Sequence, residues 1–248
     1  MLDQGRHPGR VLVIAHRGAS TEAPENTLSS IERAVVIGAD AVEFDVRSTF
    51  DDKLVLMHDE KVDRTTNGRG AVSSMTLDNI RRLDAGYWFS SQFRGERVPR
   101  LGDAIDVLAR SNSVPLVELK DKYDAARSAA PTLIGMLRDF GISDRTVVIA
   151  RDPKQLACVK ALSPWTATAI VTFSRGEAER ATGGSIDGLV AYWPSLSQRL
   201  VRMAHGSGEF VAAWTVEPRR MSEVARYGVD ALITDDPRSG LMLARGMP

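Results

Sequence analysis

Three observations predict an α/β chain folded as a parallel (β/α)8 barrel, the TIM-barrel architecture. Eight short β-branched runs recur along the sequence, a stretch with helical spacing follows each of them, and 248 residues is the length of one such barrel. A doubly wound open sheet gives much the same alternation, and it is the number eight that favours closure.

The strands are read, in order, at Val11 to Ala15, Ala41 to Val46, Val114 to Leu119, Thr146 to Ala150, Ala167 to Val171, Gly188 to Ala191, Phe210 to Trp214 and Asp230 to Ile233. The helices between them are read at Thr27 to Ile37, Gly102 to Arg110, Asp124 to Phe140, Pro153 to Leu162, Arg175 to Thr182, Leu196 to His205, Pro218 to Tyr227 and Pro237 to Ala244. Asp152, Glu217 and Asp236 each precede a proline suited to the first helical position, and Gly38, Gly141 and Gly228 suit helix ends. Pro131 inside the third pattern predicts a kink or a later start.

One stretch breaks the rhythm. Leu54 to Met57 reads as an extra short strand, and Asp59 to Arg100 is a long connection with turn signals at Asn67-Gly68 and Arg69-Gly70. The chain is therefore expected to be one barrel domain over residues 1–248 with a small insertion, about 59–100, after the second strand.

Lys plus Arg number 32, as do Asp plus Glu, so the formal net charge is zero and no long run of one sign occurs. That excludes a general nucleic-acid or acidic-membrane binder, while permitting self-association into a homo-oligomer near neutral pH. The single cysteine, Cys158, excludes an intrachain disulfide and a cysteine-rich zinc site, which makes a cytoplasmic location the expectation. Met1 to Arg10 is polar and the first apolar run, Val11 to Ala15, is short, so neither a signal peptide nor a membrane span is expected there.

In a parallel barrel, reactive groups sit at the C-terminal ends of strands. The first strand ends in His16-Arg17-Gly18, which taken alone reads equally as a loop histidine beside a surface arginine. In the second strand the period of two puts Val42, Phe44 and Val46 on one face and Glu43, Asp45 and Arg47 on the other, which in a barrel points inward. Glu118 and Lys120 share a face at the end of the third barrel strand. Inward carboxylates need cations, hydrogen bonds or a metal. Three of them form an oxygen cage suited to Mg2+, Ca2+ or Mn2+, whereas zinc favours histidine or thiolate ligands, of which there are four and one. His58-Asp59 closes the extra strand and offers a second imidazole. His7, in the polar tail, and His205, in a helix, are expected to be inert. Two imidazoles, Arg17, Lys120 and a metal make a cationic centre that suits a phosphate.

With these residues assembled, the sequence resembles the glycerophosphodiester phosphodiesterase family. His16-Arg17-Gly18 with Pro24-Glu25-Asn26-Thr27 is similar to the family's opening motif, and Val42-Glu43-Phe44-Asp45-Val46 through Val55 to His58-Asp59 to its second. Leu83-Asp84-Ala85-Gly86, Val98-Pro99-Arg100-Leu101, Glu118-Leu119-Lys120, Trp214-Thr215-Val216, Gly228-Val229-Asp230 and Ile233-Thr234-Asp235 follow in family order. The match runs from about Val11 to Pro237.

The resemblance implies a metal-dependent hydrolase that cleaves glycerophosphodiesters to sn-glycerol 3-phosphate and an alcohol, with Mg2+ or Ca2+ as the usual cation. It implies His16 and His58 as the acid/base pair, Glu43, Asp45 and Glu118 as metal ligands, and Arg17 and Lys120 as phosphate clamps. Glu25 and Asn26 would position the first loop or start the helix after it. Trp214 could form an apolar wall for substrate, and Asp235 is expected to cap or brace.

Where the family usually has Asn after the Trp-Thr-Val motif, and Glu two positions after Leu101, this chain has Glu217 and Asp103. Where the family often has Ser-Phe after the fourth strand, this chain has Ala150-Arg151, expected to put a cation at the pocket rim and to favour an anionic or polyhydroxy leaving group.

Three rival functions fit parts of the pattern. A phospholipase D-like relative acting on lysophospholipids or sphingolipids would need an exposed apolar surface. Tyr87, Trp88, Phe89 and Phe93 could supply one, although such a cluster more often packs the core of a subdomain. A retaining glycosidase would leave both histidines, Arg17 and Lys120 without work. The third is a non-catalytic sugar-phosphate-binding barrel.

Overall fold

A computed structural model describes residues 10–124 and 129–246. Eight parallel strands close into a barrel: β1 (Leu12–Ala15), β2 (Ala41–Ser48), β4 (Val114–Leu119), β5 (Val147–Ala150), β6 (Ala167–Thr172), β7 (Gly188–Tyr192), β8 (Phe210–Trp214) and β9 (Ala231–Thr234). Each pairs with the next in this order, β9 pairs with β1, and β1 pairs with β2 through Ile14 opposite Ala41 and Ala15 opposite Val42. The open-sheet alternative is thereby excluded.

The helices are α1 (Leu28–Ile37), α2 (Leu77–Ile80), α3 (Leu101–Ala109), α4 (Ala129–Asp139), α5 (Pro153–Leu162), α6 (Arg175–Ala181), α7 (Gln198–Gly206), α8 (Pro218–Ala225) and α9 (Pro237–Gly246). All but α2 follow the predicted patterns to within a few residues. α7 begins two residues later than read, at Gln198, because Ser197 caps it by accepting from Leu200 N. Asp152 caps α5 by accepting from the Lys154 backbone, and Asp236 accepts from Ser239 N at 3.0 Å. Glu217 precedes α8 without capping it, because its carboxylate pairs with Arg219 instead. Gly38, Gly141 and Gly228 all have positive φ, as helix stops require. Pro131 falls in the first described turn of α4, beside residues 125–128, which lie outside the described residues. His7 lies outside them as well.

Strand alternation builds two cores. Leu12, Ile14, Leu116, Val147, Ile149, Val171, Val190, Phe210 and Ile233 fill the barrel interior, while Val42, Phe44, Val46, Val117 and Leu119 pack outward against the helices. Glu43 and Asp45, between the outward residues of β2, therefore face the interior at its C-terminal end.

β3 (Leu54–Leu56) is the extra strand, antiparallel to β2. The segment after it has its own small buried cluster, formed by Val55, Met57, Val62, Val72, Ile80, Ala85 and Val98. The aromatics expected either to fill such a core or to form a docking face do not join that cluster. Trp88 meets Phe89 edge-on, Phe89 meets Phe93 in the same way, and Arg94 covers Tyr87. Among the described residues, no helix is long and apolar enough to cross a membrane.

Candidate active site

The mouth of the barrel gathers the predicted residues around one pocket, lined by His16, Arg17, Glu43, His58, Glu118 and Lys120 on one side and by Ile149, Val171, Phe173, Val190, Trp214 and Ile233 on the other. Asp45 lies against the charged side, opposite Glu118 in the β2–β4 register. Glu43, Asp45 and Glu118 each offer an oxygen within 4.8 Å of the others.

Three carboxylates this close are electrostatically frustrated. Burial, reinforced by the neighbouring Asp45 and Glu118 charges, pushes Glu43 well above the usual carboxylate range. Burial and Asp45 push Glu118 up as well. Burial acts the same way on Asp45, but Lys120 and Arg17 outweigh it and hold that group low. Asn26 fixes Asp45 reciprocally: its amide donates to Asp45 Oδ2 at 2.7 Å, and the Asp45 backbone N–H donates to Asn26 Oδ1 at 3.0 Å. Lys120 Nζ donates to Glu118 Oε1 at 2.9 Å and stands 3.5 Å from Asp45. Glu43 Oε2 accepts from the Arg17 backbone at 2.8 Å, whereas the buried Glu43 Oε1 has no partner. An orphaned carboxylate oxygen within an all-oxygen donor set fits a hard divalent cation.

Both histidines are oriented through Nδ1. His16 Nδ1 lies 2.6 Å from Asp235 Oδ1, and His58 Nδ1 lies 2.6 Å from Asp59 Oδ1. Both aspartates are held below the usual carboxylate range: at Asp235 the upward push of burial is outweighed by the His16 hydrogen bond, and at Asp59 the Arg64 hydrogen bond is the chief cause. An ionised carboxylate can only accept, so each Nδ1 carries the proton and each Nε2 is left for chemistry. His16 Nε2 is 4.0 Å from Glu43. Burial, with Arg17 and Lys120 nearby, lowers His58 despite the opposing pull of Asp45, which favours the neutral ring.

The first loop is shaped by backbone rather than by side-chain packing. Arg17 and Asn26 are both left-handed at φ 56°, and Gly18 sits at φ 81° where a Cβ would lie 2.4 Å from Ser30 Oγ. Thr27, not Asn26, caps α1. The helix-start reading of Glu25 and Asn26 is corrected accordingly: Asn26 is spent on Asp45, and Glu25 Oε1 accepts from Arg17 Nη1 at 2.8 Å.

Trp214 forms part of the apolar wall. Its indole N–H donates to Val190 O at 3.2 Å, and its ring meets Phe173 edge-on at 4.9 Å and Tyr192 at 5.4 Å. Arg151, expected at the rim, is not among the residues lining the pocket; it stacks over Phe173, which is, at 4.6 Å and lies 3.8 Å from Glu177. Asp103 and Glu217 lie outside the pocket lining. His205 pairs with Asp230 at 2.9 Å, away from the mouth.

Several contacts escaped the sequence reading. Arg47 donates to His58 O at 2.9 Å and to Asp121 at 3.0 Å, and Arg64 bridges Glu25 and Asp59. For Asp235 a signal existed. Continuing the inward parity of each strand by one step gives His16 after Ile14, Arg151 after Ile149, Phe173 after Val171 and Asp235 after Ile233. The bracing role expected of Asp235 agrees with its contact to His16.

Residues 16–239 match the Glycerophosphoryl diester phosphodiesterase family. The glycerophosphodiester phosphodiesterase of Caldanaerobacter subterraneus subsp. tengcongensis is 33% identical over 95% of this chain and 98% of its own. A crystal structure from Silicibacter pomeroyi superposes with a TM-score of 0.87 at 28% identity, covering 96% of this chain and 94% of that one. A phosphodiesterase from Oleispira antarctica, solved in complex with the product sn-glycerol-3-phosphate, gives a TM-score of 0.85 at 27% identity and covers 96% of this chain and 98% of its own.

Proposed function

The chain belongs to the glycerophosphoryl diester phosphodiesterase family, and from that premise we propose that it hydrolyses glycerophosphodiesters to sn-glycerol 3-phosphate and an alcohol. The observation that carries the reading is the convergence of two aspartate-oriented imidazoles, two cations and three crowded carboxylates on one pocket. The Oleispira relative, bound to that product, supports the same substrate class.

Glu43, Asp45 and Glu118 would hold a divalent cation, Mg2+, Ca2+ or Mn2+, which relieves their mutual repulsion and when bound supplies positive charge against the phosphoryl oxygens. Arg17 and Lys120 clamp the phosphate, their charges free to meet it once the cation balances the carboxylates. One imidazole, neutral, takes a proton at Nε2 from the attacking oxygen, and the other, protonated on both ring nitrogens, gives its Nε2 proton to the departing alcohol. That division of labour serves direct attack by water, and equally attack by the glycerol 2-hydroxyl to give a cyclic phosphate that water then opens, with the two imidazoles exchanging roles. Trp214 and Phe173 offer the apolar wall against which one arm of the diester lies.

We read residues 1–248 as one catalytic barrel with 59–100 as its insertion, and place the reaction in the cytoplasm, where the lone Cys158 stays reduced. The test is release of sn-glycerol 3-phosphate from a panel of diesters of choline, ethanolamine, glycerol and inositol after chelation, with each cation added back. Cation-restored release is the expected result. Absence of release from folded protein with every cation would overturn the reading in favour of a sugar-phosphate-binding barrel or a lipid-directed relative.

A further inference from the structure

The first loop and the 58–64 loop approach the pocket from different parts of the chain, yet a single side chain ties them together. Arg64 donates through Nε to Asp59 Oδ2 at 2.7 Å and through Nη2 to Asp59 Oδ1 at 3.2 Å. The same guanidinium donates through Nη1 to Glu25 Oε2 at 2.7 Å and through Nη2 to Glu25 Oε1 at 2.8 Å. Each carboxylate then passes the constraint inward. Asp59 Oδ1 accepts from His58 Nδ1 at 2.6 Å, and Glu25 Oε1 accepts from Arg17 Nη1 at 2.8 Å. The result is a continuous chain of charge-assisted hydrogen bonds, Arg17–Glu25–Arg64–Asp59–His58. Its central member is half-exposed and lines no part of the pocket.

We propose that Arg64 is a positioning residue that holds the His58 ring and the Arg17 guanidinium in register with one another. The inference rests on the reading of the site given above and assigns Arg64 no contact with substrate. A planar guanidinium engaging two carboxylates through paired donors fixes both in orientation, which a lysine point charge cannot do. Its paired donors hold the Asp59 carboxylate against His58 Nδ1, and a carboxylate held there keeps the His58 proton on Nδ1 and the lone pair on Nε2. On the other side, Arg64 shares Glu25 with Arg17. Without it, Glu25 would be neutralised by Arg17 alone, and Arg17 would be drawn toward that carboxylate and away from the phosphate.

Two measurements test this. In the turnover assay, Arg64→Gln is expected to lower kcat by about 10- to 100-fold and to raise KM by about 3- to 10-fold, the first reading the lost order of His58 and the second the displaced Arg17 clamp. Arg64→Lys should recover little, added guanidinium should partly rescue Arg64→Ala, and in an Asp59→Asn background Arg64→Gln should cost less than about threefold more. Separately, long-range 1H–15N spectra, with His58→Gln to assign the ring, should show one Nδ1–H tautomer in the wild type and a mixture in Arg64→Gln. An unchanged kcat and tautomer, or full additivity with Asp59→Asn, would overturn the proposal. Wild-type protein without turnover would instead overturn the functional reading, and the spectra would still decide whether Arg64 orders His58.

Discussion

His16 and Asp235 stand 219 positions apart in sequence and meet at 2.6 Å between Nδ1 and Oδ1, joining the ends of β1 and β9 where the barrel closes. Ser20 donates to the same Asp235 oxygen at 3.1 Å, so the carboxylate is held from two sides. The contact fixes the ring tautomer without touching the pocket. Asp235→Asn, which can present an amide N–H to the ring and invert the tautomer, should lower kcat by more than Asp235→Ala does, each by at least about 10-fold. Steady-state kinetics on one diester checks the order, and equal or negligible losses would count against tautomer control.

The larger effect is expected at the imidazoles themselves. His16→Ala and His58→Ala should each lower kcat by about two to four decades, the range for removal of a general acid or base. Circular dichroism establishes that the variants fold. A loss below about threefold at both positions would remove the pair from the mechanism.

If Glu43, Asp45 and Glu118 hold a cation as proposed, stability should respond to metal as well as activity. Adding Mg2+, Ca2+ or Mn2+ after chelation should raise the calorimetric unfolding midpoint, by about 2.7 kcal/mol of stability at 100 times Kd. Glu43→Gln removes a ligand but also removes the charge whose Oε1 is orphaned. The variant should therefore lose the metal-induced rise while the chelated protein is no less stable than the chelated wild type.

Much of this site was legible because strand parity is a strong signal: Glu43, Asp45 and Glu118 alternate with buried apolar neighbours, and the register then makes Asp45 and Glu118 adjacent. The barrel followed from a repeat count. The braces were less legible, since Arg64 links two loops and Arg47, at the end of β2, reaches Asp121 and the His58 carbonyl in loops whose paths no periodicity encodes. Asn26 shows the limit most clearly. Its position before a helix left loop positioning and a helix start both open, and the left-handed backbone at φ 56° places its amide on Asp45 while Thr27 caps the helix.

The Arg64 bridge also has a signature in acid. Asp59 and Glu25 are both lowered in the folded protein, by Arg64 hydrogen bonding first at Asp59 and by the same contact acting against burial at Glu25. Depressed carboxylates stabilise the fold above their unfolded values, 3.8 for Asp and 4.5 for Glu, and that contribution is lost as pH falls through those values toward the folded ones. Arg64→Gln should therefore be less stable than wild type at neutral pH, with the difference shrinking as pH drops below about 4.5. Urea titrations at stepped pH measure it, and a gap constant with pH would show that the two carboxylates are not held by Arg64.

Backbone geometry in the first loop gives the sharpest contrast between two glycines. Gly18 has φ 81° and an added Cβ would fall 2.4 Å from Ser30 Oγ and 2.6 Å from the Ser30 carbonyl carbon. Gly102, in the first turn of α3, has nothing within 4 Å of such a Cβ. Gly102→Ala should stabilise the protein by about 0.5–1 kcal/mol, because alanine loses less chain entropy in a helix. Gly18→Ala should destabilise it by more than that and also reduce turnover, because Gly18 N donates to Glu43 O at 3.1 Å beside the Arg17 N–H that holds the Glu43 carboxylate. Moving that turn displaces together Glu43 and Arg17, the residues proposed to hold the metal and the phosphate. Paired urea unfolding and kinetics separate the two, and a Gly18→Ala protein with wild-type activity would show that the loop has room the close approach to Ser30 denies.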